Sequence, residues 1–178
     1  MDEDLPSGVV VSELIAHPDD RGALTELFRQ SWLPPGISMV QANLSTSRAD
    51  VLRGMHFHRH QADYWIVLDG VAFVGLFDLR AGSPTERSTA TITLDATAGL
   101  HGLYIPPGVA HGFCAVTEMR LQYLVTGEFT GADEHGFSWN DPELGIRWPV
   151  AEPIVSDRDT TSGSLAAALA DQPTFSDT

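Results

Sequence analysis

The chain has 178 residues, of which ten are Lys or Arg and twenty-four Asp or Glu, for a formal charge of −14 and a pI near 4.6. That balance excludes a sequence-independent grip on nucleic acid or on an anionic membrane surface, so an anionic ligand has to be held by a few local arginines. With 43% hydrophobic and 19% charged residues, the composition fits one compact domain over 1–178.

In chain order, short alternating or β-branched runs are separated by glycine, proline and aspartate: GVVVSEL (8–14), GALTELF (22–28), ISMVQANLSTS (37–47) and DYWIVLDGVAFVGLFDL (63–79). STATITLDA (88–96), GLYIPPG (102–108), HGFCAVT (111–117) and MRLQYLVTGEF (119–129) continue the series. Roughly eight to ten such runs predict an all-β fold, a jelly roll or related barrel of antiparallel strands. Asp69-Gly70 is the standard signal for a tight hairpin, and Pro106-Pro107-Gly108 marks a second sharp turn. The clearest helix is SLAAALAD (164–171), opened by Ser164 as N-cap and stopped before Pro173. The single cysteine, Cys114, forms no internal disulfide and reads as a small buried packing residue. The start MDEDLPSGVVV lacks the basic and apolar regions of a signal peptide, and no apolar run is long enough to cross a bilayer, so a cytoplasmic location is expected.

The chemistry concentrates in RGMHFHRHQADYW (53–65). A strand over 55–61 turns His56, His58 and His60 to one face. With His111 arriving from a later strand and Asp63 following, two readings are open. His56, His58, Asp63 and His111 approximate the metal-cupin ligand pattern, which suits a first-row metal. Proton transfer needs instead a base, an acid to orient it and an opposing donor, and Tyr123 with the acids of VSDRDTT (155–161) supplies those types. Spacing accommodates both. The ordinary alternatives are a solvent-facing His60, Tyr123 as half-buried strand filler and Asp159 as a surface ion pair with Arg158. Phe137, Trp139 and Trp148 read as packing, and Gly54 and Gly70 as conformational punctuation.

The blocks DDRGALTELF (19–28), VQANLSTS (40–47), VLRGMHF (51–57), FDLRAGSPT (77–85), YIPPGVAHGF (104–113), WNDPELGIRWP (139–149) and VSDRD (155–159) occur in an order that resembles the dTDP-4-dehydrorhamnose 3,5-epimerase family, cupin-like jelly-roll enzymes acting on sugar nucleotides. The likeness runs from about residue 8 to about residue 160, leaving a short helix and tail over 161–178. It implies His56 as a base paired with Asp159, and Tyr123 as a proton donor across the sugar. Epimerisation at C3, C5 or both, through an enolate beside a 4-keto group, then needs no cofactor. The resemblance further implies that His111 is a second pocket histidine, and that Arg53, Gln41, Asn43 and Arg158 hold the nucleotide and diphosphate. Arg21 and Glu26 match positions that reach into the neighbour's site in a homodimer.

Two positions depart from the pattern. Asp63 stands where a lysine is usual, which reverses the local charge, and His58, Arg59 or His60 is the candidate replacement cation. Phe129 stands where tyrosine is frequent, which leaves a 3-only or 5-only enzyme open. A metal-dependent cupin dioxygenase or isomerase, a 3,4-ketoisomerase and a non-catalytic sugar nucleotide-binding cupin are the competing functions. The expected partner is a nucleotide-linked sugar, not nucleic acid or membrane.

Overall fold

The computed structural model describes residues 5–176. In chain order the strands are β1 (Val10–Glu13), β2 (Ala16–Asp19), β3 (Gly22–Thr25), β4 (Gln41–Ser47), β5 (Leu52–Phe57) and β6 (Asp63–Asp69). They continue with β7 (Val71–Asp78), β8 (Thr89–Asp95), β9 (His101–Ile105), β10 (Val109–Ala115), β11 (Met119–Val125) and β12 (His135–Gly136), followed by helices α1 (Asp157–Thr160) and α2 (Leu165–Ala170). Two five-stranded sheets, ordered β1-β9-β6-β11-β4 and β12-β5-β10-β7-β8, face each other, and β2-β3 form a separate hairpin. This is the cupin-like jelly roll expected. Among the described residues no helix is long and apolar enough to cross a membrane.

Period-two alternation turns Trp65, Val67, Leu103, Ile105 and Leu121 of the first sheet toward Val74, Leu76, Ile92, Leu94 and Phe113 of the second, forming the central core. Both outer faces are also covered, which explains why every residue of β10 is buried. Leu14, Leu33 and Phe28 pack on Tyr64 and Ile66 outside the first sheet. Phe137, Leu144, Leu165 and Trp148 pack on Met55 and Phe77 outside the second. Cys114 is fully buried as a packing residue.

Several expected boundaries move. Asp69-Gly70 does not close a hairpin, because β6 and β7 lie in different sheets and the pair carries the chain from one to the other. Gly70 is required there: its φ is +80°, and a Cβ would stand 2.2 Å from the Glu118 carbonyl oxygen. The turn at 106–108 likewise links β9 of one sheet to β10 of the other. The run 37–47 is strand only from Gln41, and 22–28 only to Thr25. Helix α2 starts as expected, with Ser164 Oγ accepting the Ala167 N–H. The four-residue α1 has no apolar periodicity and was not readable from the sequence.

The block FDLRAGSPT is structural. The Asp78 carboxylate, fully buried, accepts hydrogen bonds from Arg80 Nε and Nη2 and from the hydroxyls of Ser83 and Thr85. Burial pushes its pKa up, but the Arg80, Ser83 and Thr85 bonds outweigh that and hold it below the ordinary carboxylate value.

Candidate active site

A cavity of about 480 Å³ opens between the two sheets, a size that suits a small organic ligand. Register explains its lining from the first sheet. Tyr123 of β11 lies opposite both Asn43 of β4 and Trp65 of β6, and Val125 lies opposite Gln41 and Asp63. Alternation therefore points these two rows of side chains to the same inner face. From the second sheet, His56 of β5 is paired directly with His111 of β10. Gly54 allows that approach: its φ is +136°, and an added Cβ would lie 2.6 Å from the Gly112 Cα.

His56 and Asp159 form a pair. Asp159 Oδ1 is 2.7 Å from His56 Nε2, and the aspartate is 3% exposed. Helix α1 positions it: the Ser156 side chain accepts the Asp159 N–H and caps the turn. Burial would raise the Asp159 pKa, but hydrogen bonds from the His56 ring, from Ser156 and from the Gly54 N–H lower it below the ordinary value. The carboxylate is an acceptor only, so Nε2 donates, and in the neutral ring the lone pair is on Nδ1 of His56.

Across the cavity, Tyr123 is half-buried. Burial, followed by the negative charges of Asp63 and Glu134, raises the phenol pKa against a smaller opposing effect of Arg53. The phenol is therefore held in its protonated, donating form at neutral pH. Deeper in, His111 is buried and its pKa is lowered to about 4, chiefly by burial, against the attraction of Asp63. It is a neutral imidazole. His58, Asp63 and His111 each offer one ligand atom within 4.8 Å of the others. His56 is outside that group and committed to Asp159, so the four-ligand metal arrangement is not formed.

The family model described as dTDP-4-dehydrorhamnose 3,5-epimerase matches residues 5–167. The chain belongs to this family. A dTDP-4-dehydrorhamnose 3,5-epimerase of Streptomyces griseus is 36% identical over 170 residues, covering 89% of this chain and 83% of that protein. Among solved structures, a 4-keto-6-deoxy sugar epimerase from the novobiocin biosynthetic gene cluster of Streptomyces spheroides superposes with a TM-score of 0.87 at 34% identity, covering 96% of this chain and 90% of that one. A 3'-monoepimerase from Streptomyces bikiniensis in complex with dTDP-quinovose gives a TM-score of 0.87 at 31% identity, covering 97% and 93%. As a member of the epimerase family, the protein is an isomerase.

The epimerase cavity gathers most but not all of the residues expected there. Gln41, Asn43, Arg53, His56, His58, Asp63, His111, Tyr123, Phe129 and Arg158 line it. Gln41 Nε2 donates to Asn43 Oδ1 at 2.8 Å, and Arg158 Nη1 donates to Glu134 Oε2 at 3.0 Å. Phe129 sits at the mouth, 71% exposed. Arg21 and Glu26 are not in this chain's cavity: they are exposed and paired with Asp19 and Arg29.

The single-face expectation for the histidine run fails at its end. Strand β5 stops at Phe57, because the Asp133 carboxylate accepts the backbone N–H groups of Arg59, His60 and Gln61 and folds them into a turn. His60 is consequently exposed outside the cavity. Arg59 is turned away toward Asp171, 2.6 Å from its carboxylate. Neither can replace the missing lysine, whereas His58 remains buried at the cavity wall. Sequence reasoning missed Glu134, Ser45 and Gln61, which also line the cavity. The acidic run ADEHG (132–136) was the available signal for Glu134, and it has no strand or helix period.

Proposed function

We propose that this enzyme inverts one or both carbons flanking the keto group of a nucleotide-linked 4-keto-6-deoxy-hexose. The His56–Asp159 pair facing a protonated Tyr123 across one cavity carries this reading. Nδ1 of His56 removes the carbon-bound proton, and the electron pair moves into an enolate conjugated with the 4-keto oxygen. Tyr123 delivers its phenolic proton to the opposite face of the same carbon, which inverts the centre. Solvent then reprotonates the phenolate and takes the proton from His56. Arg53 and Arg158, with the amides of Gln41 and Asn43, hold the diphosphate and nucleotide, and guanidinium forks suit phosphate oxygens in an otherwise acidic protein.

A homodimer follows in the same proposal. Arg21 and Glu26 lie on or beside the protruding β2-β3 hairpin, which together with edge strand β4 exposes Ile15, Leu24, Val40 and Leu44. Burying that surface in a second copy would carry Arg21 and Glu26 toward the neighbour's cavity. The deciding experiment incubates the enzyme with dTDP-4-keto-6-deoxyglucose in D₂O and reads label by NMR. Deuterium at C3, C5 or both, with inverted product, is expected. Tight binding without any exchange would overturn the proposal, and light scattering reads the dimer separately.

A further inference from the structure

The turn that ends β5 places a buried histidine where it has no strand neighbour. His58 Nδ1 lies 2.7 Å from the Asp133 backbone carbonyl oxygen, and His111 Nδ1 lies 3.0 Å from that of Val109. A carbonyl oxygen can only accept, so both Nδ1 atoms donate, which leaves Nε2 of each ring as the nitrogen open to a metal ion. Neither Nε2 makes a hydrogen bond among the described residues. Close to both stands the Asp63 carboxylate, fixed through Oδ1 by Gln61 Nε2 at 2.9 Å and through Oδ2 by Trp65 Nε1 at 3.0 Å. The side chains of His58, Asp63 and His111 are only 7%, 5% and 6% exposed. One ligand atom from each of three buried groups thus lies within 4.8 Å of the other two, around a carboxylate whose charge a cation placed among them would offset.

We propose that His58, Asp63 and His111 bind one divalent first-row transition metal ion, with its remaining coordination positions open to the cavity. Two imidazoles and one carboxylate are a donor set such ions favour. Each ligand is oriented by a hydrogen bond from its far side, as metal-bound histidines and carboxylates generally are. The spacing fits. Ligand atoms on a tetrahedral zinc ion are separated by about 3.4 Å. Asp63 Oδ2 and His111 Nε2 are 3.9 Å apart, and the whole set lies within 4.8 Å, so small side-chain movements close the site. The ion would stand as a positive charge at the cavity wall beside the proposed enolate. That role rests on the epimerase reading; the binding itself does not.

Protein stripped with chelator and dialysed would be titrated with Co²⁺, followed by its visible absorption, and with Zn²⁺ by calorimetry. One equivalent per chain is expected, with an absorption spectrum indicating nitrogen and oxygen ligation. His58→Gln, Asp63→Asn and His111→Gln should each weaken binding by more than about 100-fold, since even supporting groups around a metal contribute 10- to 100-fold. His60→Ala should leave it unchanged. As a readout on the unaltered chain, Zn²⁺ should shift the Nε2 nitrogen-15 resonances of two of the seven histidines. No saturable binding, equal affinity in all variants, or resonance shifts confined to exposed histidines would overturn the proposal. Because binding is read without substrate, its failure is distinguishable from failure of the deuterium experiment.

Discussion

Replacing Asp159 by Asn removes one oxygen charge and changes little else in volume, which isolates what the carboxylate does for His56. The contact is 2.7 Å long, and the aspartate is 3% exposed, so solvent screening is small. A hydrogen bond to a charged group contributes about 1.5–3 kcal/mol. If that energy is expressed in orienting the base and stabilising its protonated form, kcat falls about 10- to 150-fold, at tenfold per 1.36 kcal/mol. An asparagine that instead turns its NH₂ toward Nε2 forces the opposite tautomer, takes the lone pair from Nδ1, and deepens the loss toward the full 10²–10⁴ of a positioned base.

The assay follows product formation and solvent deuterium incorporation by NMR, with circular dichroism confirming the fold. Stability gives an independent check. A depressed folded pKa means that the Asp159 contribution is complete above the unfolded carboxylate value and lost as pH falls through the lower folded value. The stability advantage of the unsubstituted protein over the Asn variant should therefore shrink on acidification below about pH 4. Unchanged kcat in a correctly folded Asp159→Asn protein would refute the pairing as a catalytic arrangement.

Tyr123→Phe should lower inversion by about 10²–10⁴ while wash-in of deuterium continues, because His56 can return a proton to the face from which it came; parallel loss of both in the NMR assay would contradict a donor role. Gly54→Ala, which must put a side chain at φ +136° and 2.6 Å from the Gly112 Cα, should cost about 1–3 kcal/mol in urea unfolding, and a neutral result would mean that β5 and β10 can separate freely. Asp78→Asn leaves Arg80, 5% exposed, as a buried cation without its partner and should destabilise by about 3–5 kcal/mol while the remaining folded protein keeps its kcat. Unfolding curves and active-site-normalised rates separate those two effects. Because the Asp78 pKa is also depressed, the unsubstituted protein should lose this advantage as pH falls through the lower folded value.

Alternation of apolar and polar residues over β4 and β8, the short apolar run of β6 and the punctuation between them were enough to read an antiparallel β fold, because strand side chains point alternately to two faces whose surroundings set their polarity. Ser164 before an alanine-rich run similarly announces α2 through a purely local hydrogen bond. The blocks around His56, His111 and Asp159 were legible as family motifs, although nothing local in them says that they meet. Tertiary structure alone brings His56 to Asp159, 103 residues away. The carrier is a four-residue helix with no periodicity to detect.

The same distinction explains the errors. Asp69-Gly70 encodes a reversal of chain direction, but which strand lies beside the next one is decided by packing between sheets, so a turn with hairpin chemistry became a crossing. The period-two rule held for His56 and failed for His60, because Asp133, more than seventy positions away, captures three successive N–H groups and ends the strand. Local sequence determined the elements and the chemical types available, since propensity and alternation act over a few residues. Which imidazole faces a carboxylate, which faces solvent, and which two bring a ring nitrogen near Asp63 was decided only when distant backbone carbonyls and carboxylates were brought within hydrogen-bonding distance.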